Sequence, residues 1–188
     1  MAPKTLRRCV ALVALASAAV ASAAWAFDAT TVARAHAGER SLVGADLLGA
    51  SMPNEDLSGA NLTSANLGHA TLTGANLTSA NLSDANLTSA NLAGATFTGA
   101  TLVNAHLDNA SLTGAHFRSA NLYGAHLTGA HLEGADFTGA QLTGADLRGV
   151  HSDGATVWPE GLAHPPPDPI PPPPPDAGLV GPRPRRGR

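Results

Sequence analysis

With 188 residues, only 4% of them aromatic and 13% charged, the chain is too poor in rings and ions for an ordinary globular core, in which about a quarter of residues are charged. The net charge of −3 conceals two basic ends around a middle, residues 42–150, that sets eight carboxylates against Arg118 and Arg148, a balance that excludes a nucleic-acid-binding surface. Cys9 is the single cysteine, which excludes a disulfide, a catalytic thiolate and a cysteine metal centre in the folded part.

Residues 1–26 read as a signal peptide. Lys4, Arg7 and Arg8 precede an apolar stretch from Cys9 to about Val20, and Ala24-Trp25-Ala26 supplies a small-x-small cleavage pattern before Phe27. Ala21-Ser22-Ala23 offers a second site, so cleavage after Ala23 or Ala26 stays open. So does retention as an anchor, because Cys9 to Ala26 matches the shortest spanning helices in length. Alanine and serine insert less favourably than leucine, which favours removal. Export places the chain in the periplasm or outside a bacterial cell, with no membrane span in the mature form.

Residues 27–40 are expected to form an N-terminal cap, with a short helix between Asp28 and Glu39. From Leu42 to Leu147 a large apolar residue then returns every five positions, giving twenty-two units such as Ala60-Asn61-Leu62-Thr63-Ser64. Alanine stands two residues before nearly every one, with Arg40 and Glu55 the exceptions. Period five fits neither a helix nor a straight strand, so the chain must turn once per unit. Alanine and leucine, two apart, share the inward side of a short extended segment, and their neighbours face outward. The bend falls on the fifth position, occupied by glycine in units such as Gly44, Gly74 and Gly124 and elsewhere mostly by Ser, Asn, Asp or His, all turn formers.

This A-(D/N)-L-x-x repetition, nearly undiluted from Ala60 to Ala95, resembles the pentapeptide-repeat family. The resemblance implies an all-β fold over residues 41–161, a right-handed quadrilateral parallel β-helix, or solenoid, with four units per coil. Leucine and phenylalanine would stack in four ladders around a narrow alanine-lined axis. Glu55, at an inward site beside Met52-Pro53-Asn54, is expected to mark a bulge or an irregular first coil, because an unpaired buried carboxylate is costly. Open solenoid ends need caps, and Trp158 is expected to pack across the last coil. Residues 162–188, with five consecutive prolines from Pro171 to Pro175 and a basic end, read as a disordered tail containing a polyproline II spacer.

Straight stacked coils offer no large concavity and no recurring nucleophile, base and orienter, so the chain reads as a non-enzyme without a cofactor. A secreted scaffold or binding rod remains, its partner an unknown protein or an envelope polymer and its oligomeric state open to an end-to-end homodimer. Mimicry of duplex DNA, by which gyrase-protecting relatives act, needs dense carboxylate rows; the outward column Asp56, Asn76, Thr96, His116, Asp136 is too dilute. An ice-binding array fails as well, since twenty-residue steps from Thr63 read Ser83, Val103, Tyr123, Thr143. The Asn-Leu-Thr and Asn-Leu-Ser triplets at Asn61, Asn76, Asn81 and Asn86 come automatically with the repeat and read as outward, hydrogen-bonding strand residues instead of glycan acceptors. The alternative function is a surface for Zn²⁺ or Cu²⁺. With four units per coil, His126 sits above His106 and Asp146 above His126, while His131 lies beneath His151, and paired imidazoles with a carboxylate suit those ions.

Overall fold

The computed structural model describes residues 29–162; the expected signal peptide and the proline-rich tail beyond Leu162 lie outside the described residues. The first element, α1, is the helix Ala29–His36. Arg34 and His36 in its last turn complement the helix dipole. The helix closes at Gly38, whose φ of +79° brings the Gly38 N–H to the Ala35 carbonyl at 2.9 Å and the Glu39 N–H to the Arg34 carbonyl at 3.0 Å. Its Ala35 is fully buried against the first coil.

Beyond α1 the chain winds into stacked coils. Parallel bridges join residues twenty apart, from Ser41 with Asn61 to His131 with His151, so four five-residue units make one coil. Each side contributes a single bridged residue and not a run of ladder pairs, so the extended segments are shorter than the sequence suggests. Four hydrogen bonds per unit close the geometry; around Leu62, the corner Ser64 N–H donates to the Ser83 carbonyl of the next coil at 2.9 Å. The Leu62 N–H donates to the Asn81 carbonyl at 2.7 Å, the Asn81 N–H donates to the Ala60 carbonyl at 2.9 Å, and the Ala65 N–H donates back to the Leu62 carbonyl at 3.0 Å. That last bond, with a positive φ only at the third residue of the bend, is a type II turn. Where Ser64 stands in place of glycine its φ is 56°, a left-handed value serine tolerates at modest cost. Tertiary closure thus overrides local preference at nine non-glycine corners.

Apart from Glu55 in the first coil and Thr156 in the last, the interior is apolar. From Ala50 to Phe137 the described alanines, leucines and phenylalanines of the two inward positions are at most 1% exposed. Each buried leucine contributes roughly 1.5–3 kcal/mol. Phe97, Phe117 and Phe137 form one ladder with ring centroids 4.6 and 4.7 Å apart, and Trp158 extends it, stacked 5.2 Å from Phe137. Trp158 therefore packs as the terminal rung. Its coil reaches Phe137 after a step of twenty-one residues, since Asp136 bridges Val157.

The bulge expected at Glu55 does not form. Ser51 bridges Thr71 and Asp56 bridges Asn76 in unbroken register, and the Asn76 N–H reaches the Glu55 carbonyl at 2.9 Å. The carboxylate is instead partnered by His36 Nδ1 of α1 at 2.6 Å. A partner from the cap removes the cost that argued for a distortion.

Candidate functional site on the outer faces of the coil

Because the core is sealed, every group able to bind or react stands on one of four outer faces, named here by their first bridged residues: Ser41, Asp46, Ser51 and Asp56. Each face is a row repeating once per coil. Down the Asp46 face run Asn66, Asn86, His106, His126 and Asp146; down the Ser51 face, Thr71, Asn91, Ser111, His131 and His151.

Asparagine fits these rows because its amide carries both donor and acceptor. Oδ1 of Asn86 accepts the Thr88 N–H two residues on at 3.0 Å, closing an Asx turn at the corner, and Nδ2 donates to Asn66 Oδ1 in the previous coil at 3.1 Å. Asn66 repeats the pattern onto Asp46 at 3.1 Å. On the Asp56 face Asn76 donates to Asp56 at 3.2 Å. The expected hydrogen-bonding role of asparagine is thus realised, and every repeat triplet is engaged in it.

The sequence-predicted histidines meet as pairs. His106 and His126 stack with centroids 4.7 Å apart and planes 9° from parallel; His131 and His151 stack at 4.5 Å and 15°. Near-parallel planes keep the nitrogen lone pairs of each pair in two separate sheets, so a shared ion at about 2.0–2.1 Å from both requires one ring to turn. Asp146, next in the column, is already held by Arg148, whose Nε and Nη2 approach its carboxylate at 2.8 and 2.6 Å. Those hydrogen bonds hold the Asp146 carboxyl well below the usual range. Among the described residues no group of three or more His, Cys, Asp or Glu side chains is placed to hold a metal ion. Glu133, 3.4 Å from His131, and Asp108, 3.8 Å from His106, are the acidic neighbours of the pairs.

Asp136 is a buried carboxylate that the sequence presents only as one member of a dilute column. The Thr138 hydroxyl donates to it at 2.6 Å, the Thr138 N–H at 2.9 Å and Arg118 Nε at 2.5 Å. The Thr138 hydroxyl, with help from that amide and from Arg118, lowers its pKa to about 2 against the opposing effect of burial. Its signal in the sequence is the Asp-x-Thr spacing, which a repeat full of threonine hides.

A five-residue unit, a twenty-residue register and an alanine-leucine interior define a repeat protein built by stacking coils. The chain belongs to the pentapeptide-repeat family: the family described as pentapeptide repeats (8 copies) matches residues 41–79, 80–118 and 115–151. It is 33% identical to the pentapeptide repeat protein Rfr23 of the cyanobacterium Cyanothece 51142, over 69% of this chain and 97% of that one, with a TM-score of 0.36. HetL of the cyanobacterium Nostoc sp. strain PCC 7120, involved in heterocyst differentiation regulation, is 32% identical over 66% of this chain and 64% of its own, with a TM-score of 0.44. A pentapeptide repeat protein of the Arabidopsis thaliana thylakoid lumen is 30% identical over 56% of this chain and 63% of its own, with a TM-score of 0.26. No curated protein sequence matches. No helix among the described residues is long and apolar enough to cross a membrane.

Proposed function

We propose that the chain is an exported, non-enzymatic scaffold that binds through its outer faces in the periplasm or outside the cell. The observation that carries this reading is the sealed interior: from Leu57 to Phe137 the inward positions are filled by alanine, leucine and phenylalanine, leaving rows of polar side chains at one-coil spacing as the binding surface. Such a surface rewards extended partners with many weak contacts, not a small substrate enclosed for chemistry. The right-handed winding implied by the family resemblance belongs to the same reading, and the tail would act as a spacer holding a basic end away from the rod. N-terminal sequencing of protein recovered from the envelope and medium tests export. A mature chain beginning at Phe27 or Ala24 is the expected result, and intact Met1 in the envelope would replace secretion by anchoring.

A second reading, a site for Zn²⁺ or Cu²⁺ at His106, His126 and Asp146 or at His131 and His151, is favoured by the closeness of the ring pairs at 4.7 and 4.5 Å. It requires a ring to rotate and, in the first column, Asp146 to leave Arg148. Calorimetric titration with zinc at about pH 7.5 decides it, metal affinity being pH-dependent. Binding no tighter than about 100 μM, or equal binding by the His106→Asn, His126→Asn double variant, removes the metal site.

A further inference from the structure

The four faces differ in charge, and the Ser41 face stands apart. From Ser41 to Ala145 it carries one charged group, Asp84 at a corner, whose carboxylate accepts Asn104 Nδ2 at 3.3 Å. Each of the other faces presents carboxylates together with histidine: Asp108 beside His106, Glu133 beside His131, and Asp136 above His116.

The Ser41 face also differs in its amides. Asn61, Asn81 and Asn121, in bridge register or two coils apart, turn Oδ1 toward the chain to accept the N–H groups of Thr63, Ser83 and Tyr123 at 3.2, 3.1 and 3.1 Å. On the neighbouring faces Nδ2 of Asn66, Asn76 and Asn86 donates to the coil before. The Nδ2 groups of Asn61, Asn81 and Asn121 have no acceptor among the described residues. Beside this row of unused donors Tyr123 is 55% exposed, with its hydroxyl unpartnered among the described residues.

A protein partner would need a broad apolar cluster to desolvate, and this face offers only Val43 at one end and, toward the other, Tyr123 next to the half-buried Val103. An anionic polymer finds no cation here. A neutral polysaccharide supplies what the face lacks: hydroxyl and ring oxygens to accept the carboxamide protons, and an apolar C–H surface to lie on an aromatic ring that also carries a polar tip. We propose that the Ser41 face binds a neutral glycan strand, with Asn61, Asn81 and Asn121 as donors and Tyr123 as the stacking platform. This rests on the reading of the chain as an exported binding rod and names the class of its partner.

Native affinity electrophoresis of the mature full-length chain, through gels containing hydroxyethylcellulose, dextran or, as the anionic control, alginate, tests the proposal. The protein is expected to be retarded by at least one neutral polymer and not by alginate. Tyr123→Ala should weaken that retardation about tenfold in apparent Kd, and Tyr123→Phe should retain most of it. The His106→Asn, His126→Asn variant, altered on the Asp46 face, should migrate as the parent does. Absence of retardation by both neutral polymers, retardation by alginate alone, an unaffected Tyr123→Ala or an equal loss in the histidine variant each overturns the assignment. Because Tyr123 is exposed, its variants should melt with the parent, which separates lost binding from lost folding. Processed protein in the envelope that no glycan retards sinks this inference and leaves export standing; unprocessed protein that a neutral glycan still retards does the reverse.

Discussion

Along the Asp46 face the first half of the rod and the second solve one spacing in two ways. Asn66 and Asn86 bridge consecutive coils with hydrogen bonds of 3.1 Å, each amide using donor and acceptor at once. His106 and His126, in the same column and the same register, lie flat on one another at 4.7 Å with contact between ring faces in place of a hydrogen bond. The amide row is tied from coil to coil by directed hydrogen bonds, whereas the imidazole pair rests on ring contact alone. Inside the coil the division recurs: one ladder is leucine at Leu57 and Leu77, then changes to rings from Phe97 to Trp158. A fixed backbone thus accepts different chemistries at equivalent positions, and what changes along the rod is how conditions act on it.

If the halves share one axis, a change at their junction must break both. Ala90→Trp should leave the mature protein unfolded by circular dichroism, because an indole has no room where Ala90 is 0% exposed. Leu92→Ala should cost about 2–5 kcal/mol and still fold. Were Leu92→Ala the more damaging of the two, the narrow axis would be the wrong description.

Removing the last rung probes the ring-built half alone. Trp158→Ala should cost roughly 2–3 kcal/mol, less than the 3–5 typical of a fully buried ring because Trp158 is only half-buried. Hydrogen exchange should show the loss in the Phe137 coil before the Leu57 coil. Equal deprotection of both would mean that the rod melts as one unit from either end.

Acid should separate the halves further. With its pKa lowered to about 2 from the ordinary 3.8, Asp136 stabilises the fold fully above about pH 3.8, and that contribution is lost as the pH falls toward 2. Asp136→Asn should flatten the melting temperature across that window, and an unchanged acid limb would show that the Thr138 and Arg118 bonds carry no stability.

The period-five pattern makes the register legible without coordinates, because one slip would throw leucine to the outside. It also locates the corners, including those where serine or asparagine adopts a positive φ. Glu55 misleads because its partner, His36, lies in a segment without a period, and pairing across a cap leaves no trace in repeat spacing. The histidine columns are legible as neighbours but not as stacked planes, since a repeat fixes where a side chain starts and not how its ring rotates. The free amides of the Ser41 face are hidden for the same reason: Asn61 and Asn66 are spelled alike, and only their surroundings tell them apart.

The twenty-one-residue step from Asp136 to Val157 makes the rod a counting device. Twenty residues return the chain to the same face, so inserting or deleting whole coils changes length and leaves both ends in phase. Inserting one five-residue unit instead turns everything beyond it by one face, carrying Tyr123 round relative to α1. The extra residue before Val157 is absorbed at the corner, after which Thr156 is buried at the place an alanine holds in the coil below and Trp158 stands again on the ring ladder. The angle between the two ends is therefore written in the number of units between them.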